Sequence, residues 1–476
     1  MKKLLLVMAL LFSTTMIFAQ HQENNGNGPK EEKGECFDCE VDVRSPELID
    51  KGYNYSEVNQ YEEFNIATVV QTGDGNYSLI DQMDYFNTAT VTQDGFGNNS
   101  IIDQKGQENE GTVWQDGNYN YANQKVGVGF AEDNVADIFQ EGDENVAYQE
   151  QWFDNNEATI TQYETGNFAI QKQTAGLDGV NGSVAEIIQD GEGNKAGQTQ
   201  FGTGNDAYVS QLGDDNVSVE DQTSLSGAFT ENDSDVMQAG DENLSCVTQV
   251  ATSFIYGINE SNVYQYGDKN KSNVEQVTFH GTNTSDVDQL GDKNKSSVFQ
   301  DARFGSNESI VLQEGDHNHS KVDQDARGGE NMSDVLQDGD HNHSKVTQNA
   351  EEGVFATVVN ESDVDQLGNH NHSYVNQDAE GRGELVFRRW RPSIRVSDVT
   401  NYSQVIQDGD HNTSFVDQLA GTKTSWNDSW VSQTGDYNMS TVTQTANEFG
   451  NNMSKVMQVG NNNTATVTQV GGVTIN

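Results

Sequence analysis

The sequence predicts an all-β chain, a two-sheet β-solenoid built of strand–turn–strand rungs. Three observations predict it. A unit Asn-x-Ala/Ser-x-Val-x-Gln-x-Gly-x-x recurs about 33 times between Asn54 and Gly471, and self-similarity on that scale marks a stacked-repeat architecture. Inside each unit the fixed residues stand at positions one, three, five and seven, which is the period of one strand face and of no helical face. The three prolines, Pro29, Pro46 and Pro392, fall outside the strands so drawn, as expected of a residue that cannot donate to a sheet ladder.

The elements follow in order. Lys2 and Lys3 precede an apolar run from Leu4 to Ala19, the pattern of a signal peptide spanning 1–19. A leader, 20–53, contains Cys36-Phe-Asp-Cys39. The array occupies 54–476 and is interrupted by an insertion loop at 378–400. Each unit reads as one strand closed by Gln-x-Gly-x-x-Asn, where Gly supplies the positive φ of a tight reversal; Gly291, Gly315, Gly339 and Gly368 are examples. A Gln stands six residues after the unit start in all but two units, those beginning at Asn120 and Asn181.

Units pair. From Asn232 onward the gap between unit starts alternates between 11 residues and a longer connector, so two strands make one rung and each strand stacks on its copies above and below. Breaks in the pattern keep the same phase. Position five is polar at Gln124, Gln149, Gln171, Gln198 and Glu220, all in the second strand of successive rungs, so they should form one column. A buried Glu at its end requires a proton or a partner. The interior is expected to carry amide ladders, formed in the regular part by Asn283, Gln289, Asn294, Gln300, Asn307 and Gln313, then by Asn318, Gln324, Asn331, Gln337, Asn342 and Gln348. About 16 rungs at strand spacing make a body roughly 75–80 Å long.

These residues resemble the curlin repeat, Ser-x5-Gln-x-Gly-x-x-Asn-x-Ala-x3-Gln. The stretch Ser285-Asp-Val-Asp-Gln289-Leu-Gly291-Asp-Lys-Asn294-Lys-Ser296-Ser-Val-Phe-Gln300 is similar to it, with the first Ser–Gln gap shorter by two residues, and the connectors Gln300-Asp-Ala-Arg303 and Gln324-Asp-Ala-Arg327 are similar to curlin linkers. The resemblance spans about residues 54–471. It implies a secreted, extracellular amyloid subunit of curli type, polymerising through its solenoid ends into cell-surface fibres for adhesion and biofilm matrix, with a nucleator and secretion components as partners. The alternative is a monomeric cell-surface solenoid acting as an adhesin or ligand-binding rod. The chain departs from the resemblance in its greater number of rungs, its acidity and its insertion.

A net charge of −50 disfavours nucleic acid and anionic membranes as partners. Asp286, Asp334 and Asp363 share one outward slot, so acid or salt should speed assembly. No nucleophile elbow, His-Glu-x-x-His or phosphate loop occurs, so no catalytic residue and no cofactor are assigned. His317, His319, His341, His343, His370 and His372 recur at one turn; lysines fill the same slots in earlier rungs, so they read as turn residues first and as weak metal candidates second. Cys36 and Cys39 favour a small disulfide or free thiols, while Cys246 occupies an outward position and reads as incidental. Arg382, Arg388, Arg389, Trp390, Arg391 and Arg395 make a basic island in the insertion, read equally as a docking loop or a tolerated insertion.

Overall fold

The computed structural model describes residues 40–43, 46, 48–49, 52–174, 182–224, 230–252, 256–353, 356–382, 384–388, 391–395, 397–421 and 423–472. The signal-peptide and Cys36/Cys39 assignments, together with Asn181, Arg389 and Trp390, lie outside these residues.

The fold is a β-solenoid. Consecutive strands alternate between a 17-stranded and a 16-stranded sheet, and no helix occurs among the described residues. Every strand-to-strand pairing within the two sheets is parallel, because each strand stacks on the copy of itself one turn away. The stretch Thr282–Leu290 pairs with Gly257–Tyr266 and with Ser306–Glu314, matching Asn to Asn (259, 283, 307), Val to Val (263, 287, 311) and Gln to Gln (265, 289, 313). A one-residue slip would turn every buried amide outward, so the pattern itself fixes the register. The Val/Ile positions of both sheets meet in a single apolar seam running from Ile80 to Val456.

The register explains both exceptions to the Gln rule. Ser183 pairs in line with Asn156, and its backbone N–H donates to Asn156 Oδ1 at 3.3 Å. The unit assigned to Asn181 therefore starts at Ser183, with Gln189 six residues on; a polar residue two positions away had taken the place of the true start. After Asn120, Val126 sits in the Gln column opposite Gln104, and a bulge follows it before Ala131 regains register. Gln151 Oε1 in the next strand is accordingly buried without a donor.

The insertion also differs from its expected bounds. Sheet pairing continues through Gly381 and resumes at Ser397. Between them lies an antiparallel hairpin, Glu384–Arg388 with Arg391–Arg395, and Pro392 falls inside that hairpin rather than outside all strands. A two-strand ribbon has open edges, where the missing donor is tolerated.

Candidate assembly site: ladders, turns and open ends

Glutamine is the residue that ties the two sheets together. Gln289 Nε2 donates to Gln313 Oε1 at 2.8 Å along the axis and to the Lys271 carbonyl of the facing sheet at 3.1 Å. Gln300 does the same with Gln324 Oε1 at 2.8 Å and the Thr284 carbonyl at 2.8 Å. The chains continue through Gln337 to Gln366 and through Gln348 to Gln377, each at 2.8 Å. Both amide hydrogens are thus used, so a fully buried polar column carries little desolvation penalty.

Asparagine works in two ways. In the first strand of each rung the amides bond directly: Asn283 to Asn259, Asn307 to Asn283 and Asn331 to Asn307, all at 2.9 Å. Asn294, Asn318 and Asn342 follow the tight turn and behave differently. Asn294 Oδ1 accepts the backbone N–H of Asn318 at 2.9 Å, while Asn294 Nδ2 donates to the Gly315 carbonyl at 2.7 Å. These three link side chain to backbone and lock the turn. The cause is the residue before each of them, which has positive φ and turns the next N–H toward the neighbouring rung.

That left-handed slot is a continuous column: Asp215, Glu242, Lys269, Lys293, His317, His341, His370, His411 and Tyr437 all have φ between 53° and 62°. The preceding Gly is stricter still. Gly315 has φ 99°, and a Cβ there would land on the Gly339 carbonyl oxygen; Gly291, Gly339 and Gly368 are hemmed in the same way. Between Gly and the slot, each Asp carboxylate accepts the N–H of its lower neighbour, from Asp268 to Asp292, Asp316 and Asp340, at 2.9 Å per step. The Gly-Asp turns are a backbone-capping ladder.

The polar column is continuous. Gln124 donates to Gln149 (3.0 Å), Gln149 to Gln171 (3.0 Å), Gln171 to Gln198 (2.9 Å) and Gln198 to Glu220 Oε2 (2.9 Å). Ser234 Oγ donates to Glu220 Oε1 at 2.9 Å. Glu220 is wholly buried, and burial pushes its carboxyl up to about 8 against the pull of these two donors. Val247 stands above it, where the column ends.

The imidazoles of His317, His341 and His370 stack face to face at 4.7–4.8 Å, followed by His411 and Tyr437. Parallel stacking aims their ring nitrogens side by side rather than at a common point. His319 and His343 are 4.8 Å apart edge to face, and His343 and His372 lie 5.8 Å apart. No group of three or more His, Cys, Asp or Glu side chains is arranged for a metal ion among the described residues. Asp286, Asp334 and Asp363 share an outward slot, but Ile310 separates the first from the second. Burial is the main cause lifting Asp286 and Asp334 above the usual carboxylate range. Arg382, exposed at the edge of the insertion, pairs with Glu380 at 2.5 Å.

Cys246 departs from its expected role. Its position is outward, yet it is only 6% exposed and disulfide-bonded. The reason is a feature that alternation alone could not show: part of the outer face of the larger sheet is covered. Phe168, Ile170 and Tyr121 on that face are buried. The signal available in the sequence was a run of apolar residues at variable positions (Tyr121, Tyr148, Phe168, Ile170, Val217, Val219), where later rungs carry Lys and His.

Among the described residues, both sheets end in strands paired along one edge. Among the described residues, Tyr55–Gln60 pairs only with Tyr77–Met83 and Ile66–Asp74 only with Thr88–Phe96. At the other end Asn451–Val459 pairs only with Ser425–Thr434, and Thr464–Gly471 only with Met439–Ala446. Val459 and Val470 are about 70% exposed there.

No curated protein matches this chain. The curlin associated repeat family matches three stretches, 87–117, 131–163 and 181–216, all within the paired-strand array. The matched stretches contain the same Gln, Gly and Asn positions that build the ladders and turns above, and these stretches carry the curlin associated repeat.

Proposed function

We propose that this chain is a secreted, curli-like structural subunit that polymerises through its solenoid ends into extracellular amyloid fibres serving adhesion and biofilm matrix. The terminal strands, each paired along one edge among the described residues, carry this reading, since an unpaired strand edge is a template for another chain. The polarity of the ladders supports it. Gln60 donates upward to Gln82 and Gln71 to Gln93, so the lower ends of the Gln ladders present carbonyl oxygens. The upper ends, Gln458 and Gln469, are the last amide donors. Head-to-tail stacking therefore matches donors to acceptors, and head-to-head stacking does not. No helix among the described residues is long and apolar enough to cross a membrane. A curli-type nucleator and secretion components would be the partners.

The test is elongation of preformed seeds by purified chain, followed by thioflavin fluorescence, electron microscopy and fibre diffraction. Unbranched fibres with a cross-β reflection near 4.8 Å are expected. A chain that stays monomeric with seeds present, at acid pH and at high salt, would leave the alternative of a monomeric adhesin or ligand-binding rod.

A further inference from the structure

The two outer faces of the solenoid carry opposite charge over the same rungs. On the larger sheet, register aligns Lys271, Lys295, His319, His343 and His372 in one row. The left-handed slot from Lys269 to His411 lies two residues earlier, and Lys321 and Lys345 stand in the next outward row. Between Lys269 and His411 these three columns hold no Asp or Glu. They gather six of the chain's 25 Lys and Arg and seven of its nine His, on a chain of net charge −50, so the stripe is a concentration and not a background. Asp316 and Asp340 border it at the turn, each with one carboxylate oxygen on a backbone N–H, and Glu275 and Asp323 border it across the sheet. The smaller sheet is the reverse. Asp235, Asp286, Asp334 and Asp363 share one outward row, with Asp288 and Asp365 in the next. Its five strands from Gly257–Tyr266 to Ala356–Leu367 contain no Lys, Arg or His. Burial, then neighbouring Asp carboxylates, lift Asp288 and Asp365 above the usual carboxylate range. The two faces point away from each other across the apolar seam, so they do not neutralise one another within a chain.

We propose that these faces form a lateral interface between copies of this chain, the Lys/His stripe of one copy lying on the Asp face of the next. Both faces repeat at the strand spacing, roughly 4.8 Å, so rows of unlike charge stay in step along the contact. The contact is heterologous. Each copy keeps its opposite face open, so association continues side by side and does not close at a dimer. This goes beyond end-to-end polymerisation and does not rest on it, since two single solenoids present the same faces. Salt distinguishes the two modes. Screening relieves the self-repulsion that slows end growth, and it weakens the lateral contact.

Charge reversal in the full mature chain tests it. One variant carries Lys271→Glu, Lys293→Glu and Lys295→Glu; the other carries Asp286→Lys, Asp334→Lys and Asp363→Lys. The fold accepts both changes, since Glu242 already occupies the slot of Lys293 and Lys455 the row of Asp363. Sedimentation gives the extent of association, and the cross-section from small-angle X-ray scattering shows whether it is lateral. At low salt, about 0.02 M, the wild type should thicken in cross-section, and about 0.5 M salt should reverse this. Each variant alone should associate about tenfold less tightly, and mixing the two should restore association, because the mixture again pairs an intact stripe with an intact Asp face. A wild type that does not thicken at low salt, lateral association that rises with salt, equal association of all three proteins, or no recovery on mixing overturns the proposal. Seeded elongation of the same samples reports on the ends alone, so failure of one mode is told apart from failure of the other.

Discussion

The two halves of the array share one backbone and fill it differently. Up to about residue 210, the third position of the unit is mostly Ala, as at Ala136, Ala158 and Ala185, and from Gln124 to Gln198 one sheet carries Gln at position five, following Val58, Ile80 and Ile102. Beyond Ser218 the third position is Ser almost without exception, and position five is Val in both sheets. Glu220 and Ser234 meet at the boundary, where the two schemes exchange their polar column. The outer faces diverge as well. The first half has a buried apolar stripe, with Tyr121, Phe168 and Ile170; the second carries Lys, His and Asp columns in its place. A repeat fold therefore tolerates two interiors, provided that each polar atom has a copy of itself one rung away to bond with. Serine hydroxyls are the exception: Ser309, Ser320, Ser333 and Ser344 are buried with no partner for Oγ.

The comparison can be broken most sharply at the turns. Gly315→Ala in the second half meets both a positive φ and a carbonyl, so a loss of more than about 3 kcal/mol in urea unfolding is expected. Gly166→Ala in the first half has open space around its Cβ and should cost only about 1 kcal/mol, the price of the left-handed conformation alone. Gln171→Leu would leave Gln198 Oε1 and the Thr159 carbonyl without this donor, while Gln149 Nε2 keeps the Asp137 and Ala158 carbonyls, with a loss of about 2 kcal/mol.

At the boundary the sign reverses. Glu220 has a folded value near 8 against an ordinary 4.5, so its contribution is fully present below 4.5 and is lost as pH rises toward 8. Glu220→Gln extends the ladder without a charge and should add about 3 kcal/mol at pH 7 and almost nothing at pH 4. A gain that is the same at both pH values would show that burial of the carboxylate is not the cause.

Ser309→Ala should be neutral or stabilising by up to about 1 kcal/mol, because it removes an unpaired hydroxyl and restores the first half's residue type. The smallest effect is local. Burial and the neighbouring His370 and His411 lower His372, so its contribution is present above pH 6.5 and lost on acidification. Asp286, Asp334 and Asp365, lifted by burial, act in the opposite direction and favour acid. Hydrogen exchange across pH 5–7 should therefore show the strand His372–Gly381 losing protection while Ser306–Glu314, which carries no histidine, does not.

Much of this was legible in the residues. Period two, the Asn–Gln spacing and the in-phase Gln/Glu column specified strand faces, rung pairing and register, because a buried amide has one low-energy solution in a stack of copies. The start at Ser183 was not legible, since Ser can take the Asn slot and Asn181 stood close by. Nor was the division of asparagines into ladder and turn-lock, which depends on where the positive-φ residue points the next N–H. The sequence by itself determined the solenoid, because its information is local and repeated. The tertiary structure alone decided which outward residues are covered, because contacts such as Ile49 with Asn99 and Asp42 with Lys172 join residues far apart in the chain that share no repeat and no spacing.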